Sequence, residues 1–310
     1  MTPPFKSFSL GFRLLLIFSL FFFNWFIITK VSSYVLHSVL GFDNLLDMTN
    51  MTNLSPQEVN TLIVMQGFGT IIGFMLTAMM FSVLESGQFS GYLGINRSIS
   101  LKMLLLAIVS MLVAQFFITA LVDLNNKIPI PSSLNFLKDI EKSDQDLTNA
   151  FLNFKSFSRF LVITLVLAVI PAIGEEMFFR GLILGDLLKA KVKPAVAIII
   201  TGLLFALIHF EFQNTLSIWV LGCFLGYLYY ISGSLWLSIA AHFVNNILDI
   251  LLKYLYNIGI LKTDISESSV PVYLTVLSII IFAACLYLFN KWKVQPSFVE
   301  EELPNEEAME

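Results

Sequence analysis

Charge is the scarcest component of this 310-residue chain. Lysine and arginine together number 18, aspartate and glutamate 22, so 13% of the residues are charged, about half the share usual in a water-soluble domain. A soluble globular enzyme is excluded on that ground. Cysteine is almost missing. Cys223 and Cys285 stand alone in apolar runs, which excludes a disulfide framework or a C-x-x-C motif and makes both small buried apolar residues. Basic clusters are missing as well. The net charge of −4 comes from a tail in which Glu300, Glu301, Glu302, Glu306, Glu307 and Glu310 supply −6, leaving the rest at +2. No stripe of Lys and Arg offers a footprint for nucleic acid. No segment repeats at a fixed period, and no inverted repeat of the transporter kind is evident.

What fills the chain is apolar: 57% by hydrophobic residue type, 30 of them Phe, with a mean hydropathy of +0.81. About 20 such residues cross a bilayer as a helix. Charge-free windows, split once at Ser232-Gly233-Ser234, predict eight spans near 12–38, 61–84, 102–124, 160–187, 194–210, 214–231, 234–257 and 270–290. The expected fold is an all-α polytopic membrane bundle of about eight transmembrane helices. It divides into residues 1–157 (three helices and a polar 125–157 loop), a core of four helices at 158–257, a last helix within 258–293, and an acidic 294–310 tail that cannot order itself. In the loop, Leu137-Lys138-Asp139-Ile140 fits either a short interfacial helix or a solvated segment. Lys6 and Arg13 precede the first apolar run without an A-x-A-like cleavage site, which reads as an uncleaved anchor. Discounting the mixed-charge loop, the basic residues favour both termini in the cytoplasm.

The informative residues are polar groups placed in lipid against their cost. Glu175, Glu176 and Arg180 lie within one apolar segment, and ionisable groups at membrane depth are functional candidates by default. On a helix Glu176 and Arg180 are i and i+4 and can pair, while Glu175 sits about 100° around the axis without a local partner. A carboxylate left unpaired in a low-dielectric pocket suits a general base acting on water. Pro171 and Gly174 loosen the helix just upstream. In the next span Phe205 and His209 are again i, i+4, so the ring can fix the imidazole, and His209 can share a water with Glu175. In the seventh span His242 and Asn246 repeat the spacing and aim two donors at one point, as an oxyanion requires. Asp249, one turn on, is positioned to orient His242 or Asn246. His37 reads as interfacial, and Asp186, near Lys189, as a solvated helix end. The bland alternative is that these groups only hydrogen-bond helices together.

Glu175-Glu176-x-x-x-Arg180, Phe205-x-x-x-His209 and His242-x-x-x-Asn246, in that order on three helices, resemble the CAAX protease and bacteriocin-processing (CPBP, or Abi) family of intramembrane proteases. The stretch from Gly233 to His242 is similar to the family's entry to its third motif. The likeness covers about residues 158–250. It implies endoproteolysis within the membrane, in the manner of the Ras-converting endopeptidase that trims prenylated CAAX proteins. Carried over, Glu175 is the general base on a water held with His209, His242 and Asn246 stabilise the oxyanion, and Glu176 and Arg180 hold the site's shape and charge. The expected partners are the bilayer and a membrane-embedded or lipidated peptide, and the expected location is the bacterial cytoplasmic membrane. No cofactor is expected. Zinc on Glu175, His209 and His242 is the alternative, although H-E-x-x-H is absent. The chain also lacks a rhomboid-like G-x-S-G and a presenilin-like Gly-x-Gly-Asp. A non-proteolytic scaffold or immunity factor and a proton-coupled transporter using Glu175 and Glu176 are the competing functions.

Overall fold

The computed structural model describes residues 8–35, 37–38, 54–129, 135–264 and 270–293. The acidic tail lies outside them. Among the described residues all regular structure is helical. Helix α1 spans Leu10–Val35, α2 Pro56–Ser86, α3 the five residues Phe89–Leu93, and α4 Leu101–Asn125. Helix α5 spans Asn135–Leu152, α6 Phe157–Lys189, α7 Pro194–Leu207, α8 Thr215–Ser232, α9 Leu235–Asn257 and α10 Val272–Trp292.

The helix boundaries follow from side-chain chemistry. Ser55 caps α2 in a reciprocal box with Glu58, and Ser100, Ser156 and Ser234 cap α4, α6 and α9 by accepting from backbone N–H groups, satisfying donors that the first turn leaves orphaned. Helix α8 ends at Gly233 with φ of 64°, where a residue without Cβ costs least. Gly94 meets that turn so closely that a Cβ on it would lie 2.6 Å from the Gly233 carbonyl oxygen.

Among the described residues seven helices are long and apolar enough to cross a membrane, and Pro194–Leu207 is shorter. The expected fifth span thus exists as a 14-residue helix, about 21 Å long at 1.5 Å per residue against a hydrocarbon layer of about 30 Å. It stops where the backbone turns at Ile208 and His209 and Phe210 takes a positive φ of 53°. Of the two readings of the polar 125–157 region, its described part takes the helical one, as an 18-residue amphipathic helix, α5, longer than a short interfacial turn.

Helices α6 and α9 occupy the middle of the bundle. Residues Met177–Leu188 of α6 pack against α1, α2, α7 and α9 in one core, and α4, α8, α9 and α10 share a second. Apolar side chains on the outer faces of α1 and α10, such as Phe22, Phe26, Val272 and Ile280, stay exposed, as fits a surface bathed in lipid. Helix α1 is tied inward by Asn24, whose buried amide donates to Thr77 Oγ1 at 2.9 Å.

Two sequence readings change here. Asp186 is no solvated helix end. It is 1% exposed, because Arg13 of α1 reaches it at 2.8 Å and the Tyr92 hydroxyl donates to it. Burial, helped by the Asp186 carboxylate, holds the Tyr92 phenol protonated far above its usual range. Nor does Asp249 orient the site. It is exposed on α9 and bonds to neither His242 nor Asn246.

Candidate active site

Helix α6 changes its hydrogen-bond register twice around the carboxylates. Leu165–Val169 and Met177–Leu184 are π-helical, and the α-helical turn Ile170–Glu176 between them carries Pro171, Glu175 and Glu176. Such local widening is rare and is found frequently at functional sites. Pro171 has no N–H to return to the Leu167 carbonyl four residues back, and that carbonyl accepts the Asn246 amide at 3.4 Å. Gly174 lets α2 approach here, since a Cβ would sit 3.0 Å from Met75 Cγ and 3.3 Å from Thr70 Cγ2.

The Glu176–Arg180 pair forms as its spacing predicts. Both are fully buried, with Arg180 Nη1 2.7 Å from Glu176 Oε1. Arg180 Nη2 also donates to the Gly222 carbonyl at 2.9 Å, and its guanidinium lies 4.5 Å from the centre of the Phe205 ring. Sequence reasoning gave Phe205 one neighbour and missed two. Its ring stands edge-on to both imidazoles, 4.7 Å from His209 and 5.7 Å from His242.

The two histidines converge on Glu175. Glu175 Oε2 lies 3.9 Å from His209 Nε2 and 3.9 Å from His242 Nε2. That oxygen is buried without a hydrogen-bond partner in the protein. The other ring nitrogens fix the protons. His209 Nδ1 is 2.7 Å from the Phe205 carbonyl, an acceptor only, so Nδ1 carries hydrogen and a neutral ring keeps its lone pair at Nε2. His242 Nδ1 is 2.9 Å from Glu176 Oε1, so it too donates. Asn246 faces the same region from α9, with its NH₂ on Leu167 and its oxygen accepting from Asn245 Nδ2 at 3.1 Å.

Helix α5 adds a feature that sequence reasoning missed. Glu141 Oε1 accepts the Gln213 N–H at 3.1 Å, fastening α5 to the segment that follows His209. Burial, helped by the nearby Glu211 carboxylate, pushes both the Glu141 and Asp144 carboxyls above their ordinary range, against the Gln213 N–H at Glu141 and His209 at Asp144. One acidic residue of the amphipathic helix, Asp144, thus lies within electrostatic reach of the His209 imidazole.

A zinc ion with bonds near 2.0–2.2 Å holds neighbouring ligand atoms about 3.4 Å apart in a tetrahedron. Glu175 stands 3.9 Å from each imidazole, and among the described residues no group of three or more His, Cys, Asp or Glu is placed to hold a metal. As placed, the trio does not fit zinc.

Comparison with known proteins gives one family. Residues 157–248 match the family model described as Rce1-like, type II CAAX prenyl endopeptidase Rce1-like. No curated protein and no solved structure gives a significant match. The matched segment runs from the start of α6 into α9 and contains Glu175, Glu176, Arg180, Phe205, His209, His242 and Asn246. Through that segment, under a third of its length, this integral membrane protein is similar to the CAAX prenyl endopeptidases.

Proposed function

We propose that the chain is an intramembrane endopeptidase in which Glu175 and His209 activate a water and His242 and Asn246 receive the oxyanion, without a metal. The observation that carries this is the buried, unpartnered Glu175 Oε2 facing two Nε2 atoms at 3.9 Å each. A water at that point donates one hydrogen to Glu175 and the other to the His209 Nε2 lone pair. Its oxygen attacks the peptide carbonyl as its proton passes to Glu175, and Glu175 returns that proton to the leaving amine, so water is split between the two products.

For His242 Nε2 to donate to the oxyanion, the ring must hold both protons, because Glu176 already takes Nδ1–H. The charges allow it. Glu175 and Glu176 against Arg180 leave one negative charge, which a single imidazolium neutralises. Breaking the buried Glu176–Arg180 pair would therefore upset both fold and donor.

The substrate we propose is a membrane-associated peptide, lipidated or CAAX-like, and the location a bacterial cytoplasmic membrane. With the short α7 counted as a crossing, both termini lie on one side, which we propose is the cytoplasm, and reporter fusions at the two ends should then both report a cytoplasmic location.

The decisive experiment is proteolysis by purified protein in detergent against prenylated and unmodified membrane peptides, run also with Glu175→Gln and with a chelator. Cleavage lost in the variant and retained with chelator supports the proposal. Cleavage lost with chelator restores the zinc reading, and cleavage surviving Glu175→Gln refutes the assignment of the base. No cleavage of any peptide by the wild type favours the scaffold or transporter functions.

A further inference from the structure

Three side-chain amides form a chain from α4 to the site. Gln115 Nε2 donates to Asn245 Oδ1 at 3.1 Å, Asn245 Nδ2 donates to Asn246 Oδ1 at 3.1 Å, and Asn246 Nδ2 points to the Leu167 carbonyl at 3.4 Å. Gln115 Nε2 also donates to the Met111 carbonyl at 3.4 Å. The chain therefore begins and ends on backbone carbonyls, which only accept.

That boundary condition sets the polarity. An amide is nearly symmetric in shape, so Asn246 fits its place either way round, presenting NH₂ or oxygen towards α6. Met111 holds the Gln115 nitrogen on its side, Gln115 holds the Asn245 oxygen, and Asn245 then offers only a donor to Asn246. The Asn246 oxygen is thus turned away from α6 and its NH₂ towards it. The reverse orientation would oppose two oxygens at Leu167 and two NH₂ groups at Asn245.

We infer that Gln115 and Asn245 are positioning residues that keep the Asn246 NH₂, and not its oxygen, turned towards the reacting carbonyl. This rests on the proposed role of Asn246 as an oxyanion donor. The Asn246–Leu167 contact, at 3.4 Å longer than either amide–amide bond of the relay at 3.1 Å, is the one a substrate oxyanion would replace. Bonds to Asn245 stay in place as it does so. Sequence reasoning stopped at His242 and Asn246 because Asn245 lies a further 100° around α9, and Gln115 is 130 residues away.

The test is turnover of a farnesylated CAAX-type peptide by Asn245→Leu and Gln115→Leu, each alone and combined with Asn246→Ala. One lost orienting hydrogen bond, of about 1 kcal/mol, corresponds to about a 5-fold fall in kcat, with KM unchanged. In the Asn246→Ala background neither substitution should lower kcat further, because no donor remains to orient. A fall of the same size in that background marks a purely structural role and overturns the inference, as does unchanged kcat in both single variants. If Asn245→Leu fails to fold, Gln115→Leu still reads the chain from its far end. Asn246→Ala with wild-type kcat, or a wild type that cleaves no peptide, overturns the oxyanion reading itself. An impaired Asn246→Ala beside unimpaired Asn245→Leu and Gln115→Leu overturns only the positioning.

Discussion

Gly202→Ala would press one methyl group into the contact between α7 and α8. A Cβ built there lies 2.8 Å from Cys223 Sγ, 2.9 Å from the Cys223 backbone nitrogen and 3.2 Å from the Gly222 carbonyl carbon, where ordinary contact begins at 3.4 Å. Sulfur at the end of a side chain can rotate away, but the backbone nitrogen cannot. The helices must separate by about half an ångström, the gap between 2.9 and 3.4 Å. Overpacking of this kind costs about 1–3 kcal/mol. The displacement reaches chemistry through two groups. Gly222 moves its carbonyl from Arg180, now 2.9 Å away, and α7 moves Phe205 and His209. Since a 1 Å misplacement can cost about 100-fold in rate, half of it should cost about 10-fold. Equilibrium unfolding in mixed detergent measures the first effect and single-turnover cleavage the second. Gly69→Ala is the control, because a Cβ there has no neighbour within 4 Å. A Gly202→Ala protein equal to wild type in stability and rate would refute the reasoning.

Arg180→Ala should destabilise the protein by about 3–5 kcal/mol, since it leaves Glu176 buried and unpaired; the unfolding midpoint reports it, and Arg180→Leu combined with Glu176→Leu should recover part of the loss. Asp186→Ala should strip Arg13 of its closest carboxylate and loosen α1, seen as faster protease cleavage near the N-terminus without loss of the α6–α9 core. The raised Glu141 and Asp144 carboxyls give a pH dependence with a definite sign. Both protonate more readily when α5 is docked, so docking is fully supported below the ordinary carboxylate range and weakens as pH rises through the raised values. Hydrogen exchange across 135–152 should accordingly be faster at high pH after correction for intrinsic rates, and an opposite trend would refute the assignment.

The carboxylates, imidazoles and amide of the site were legible in sequence because lipid makes polar groups conspicuous and helical spacing says which of them share a face. Glu176 and Arg180 pair as their i, i+4 relation requires. Phe205 touches His209 for the same reason. Relations between helices were not legible. Asp186 reads in sequence as a solvated end because its cation, Arg13, is 173 residues away. The third support of Arg180 is a backbone carbonyl, Gly222, and no sequence pattern announces which carbonyl a guanidinium will find. Asp249 shares the face of α9 that carries His242 and Asn246, as its angular position requires, yet it bonds to neither of them. Helix α7 ends before its apolar run does: the His209 ring bonds the Phe205 carbonyl while the His209 N–H turns to Ala206, a local arrangement that hydropathy does not report.

The placing of the Arg180 counterion on its own helix bears on how the chain enters a membrane during synthesis. A bare arginine at the centre of a span adds about 2.5–3.5 kcal/mol to the cost of insertion. Glu176, four residues earlier and 2.7 Å away, lets α6 present that charge already neutralised, before α7, α8 and α9 have been made. The Gly222 carbonyl and the His242 imidazole then join a pair that exists without them. Arg13 and Asp186 follow the opposite order, the cation arriving on the first helix and its carboxylate on the sixth. Assembly at one end of the bundle therefore depends on the growing chain closing back on itself, while the ion pair beneath Glu175 is complete as soon as its own helix forms.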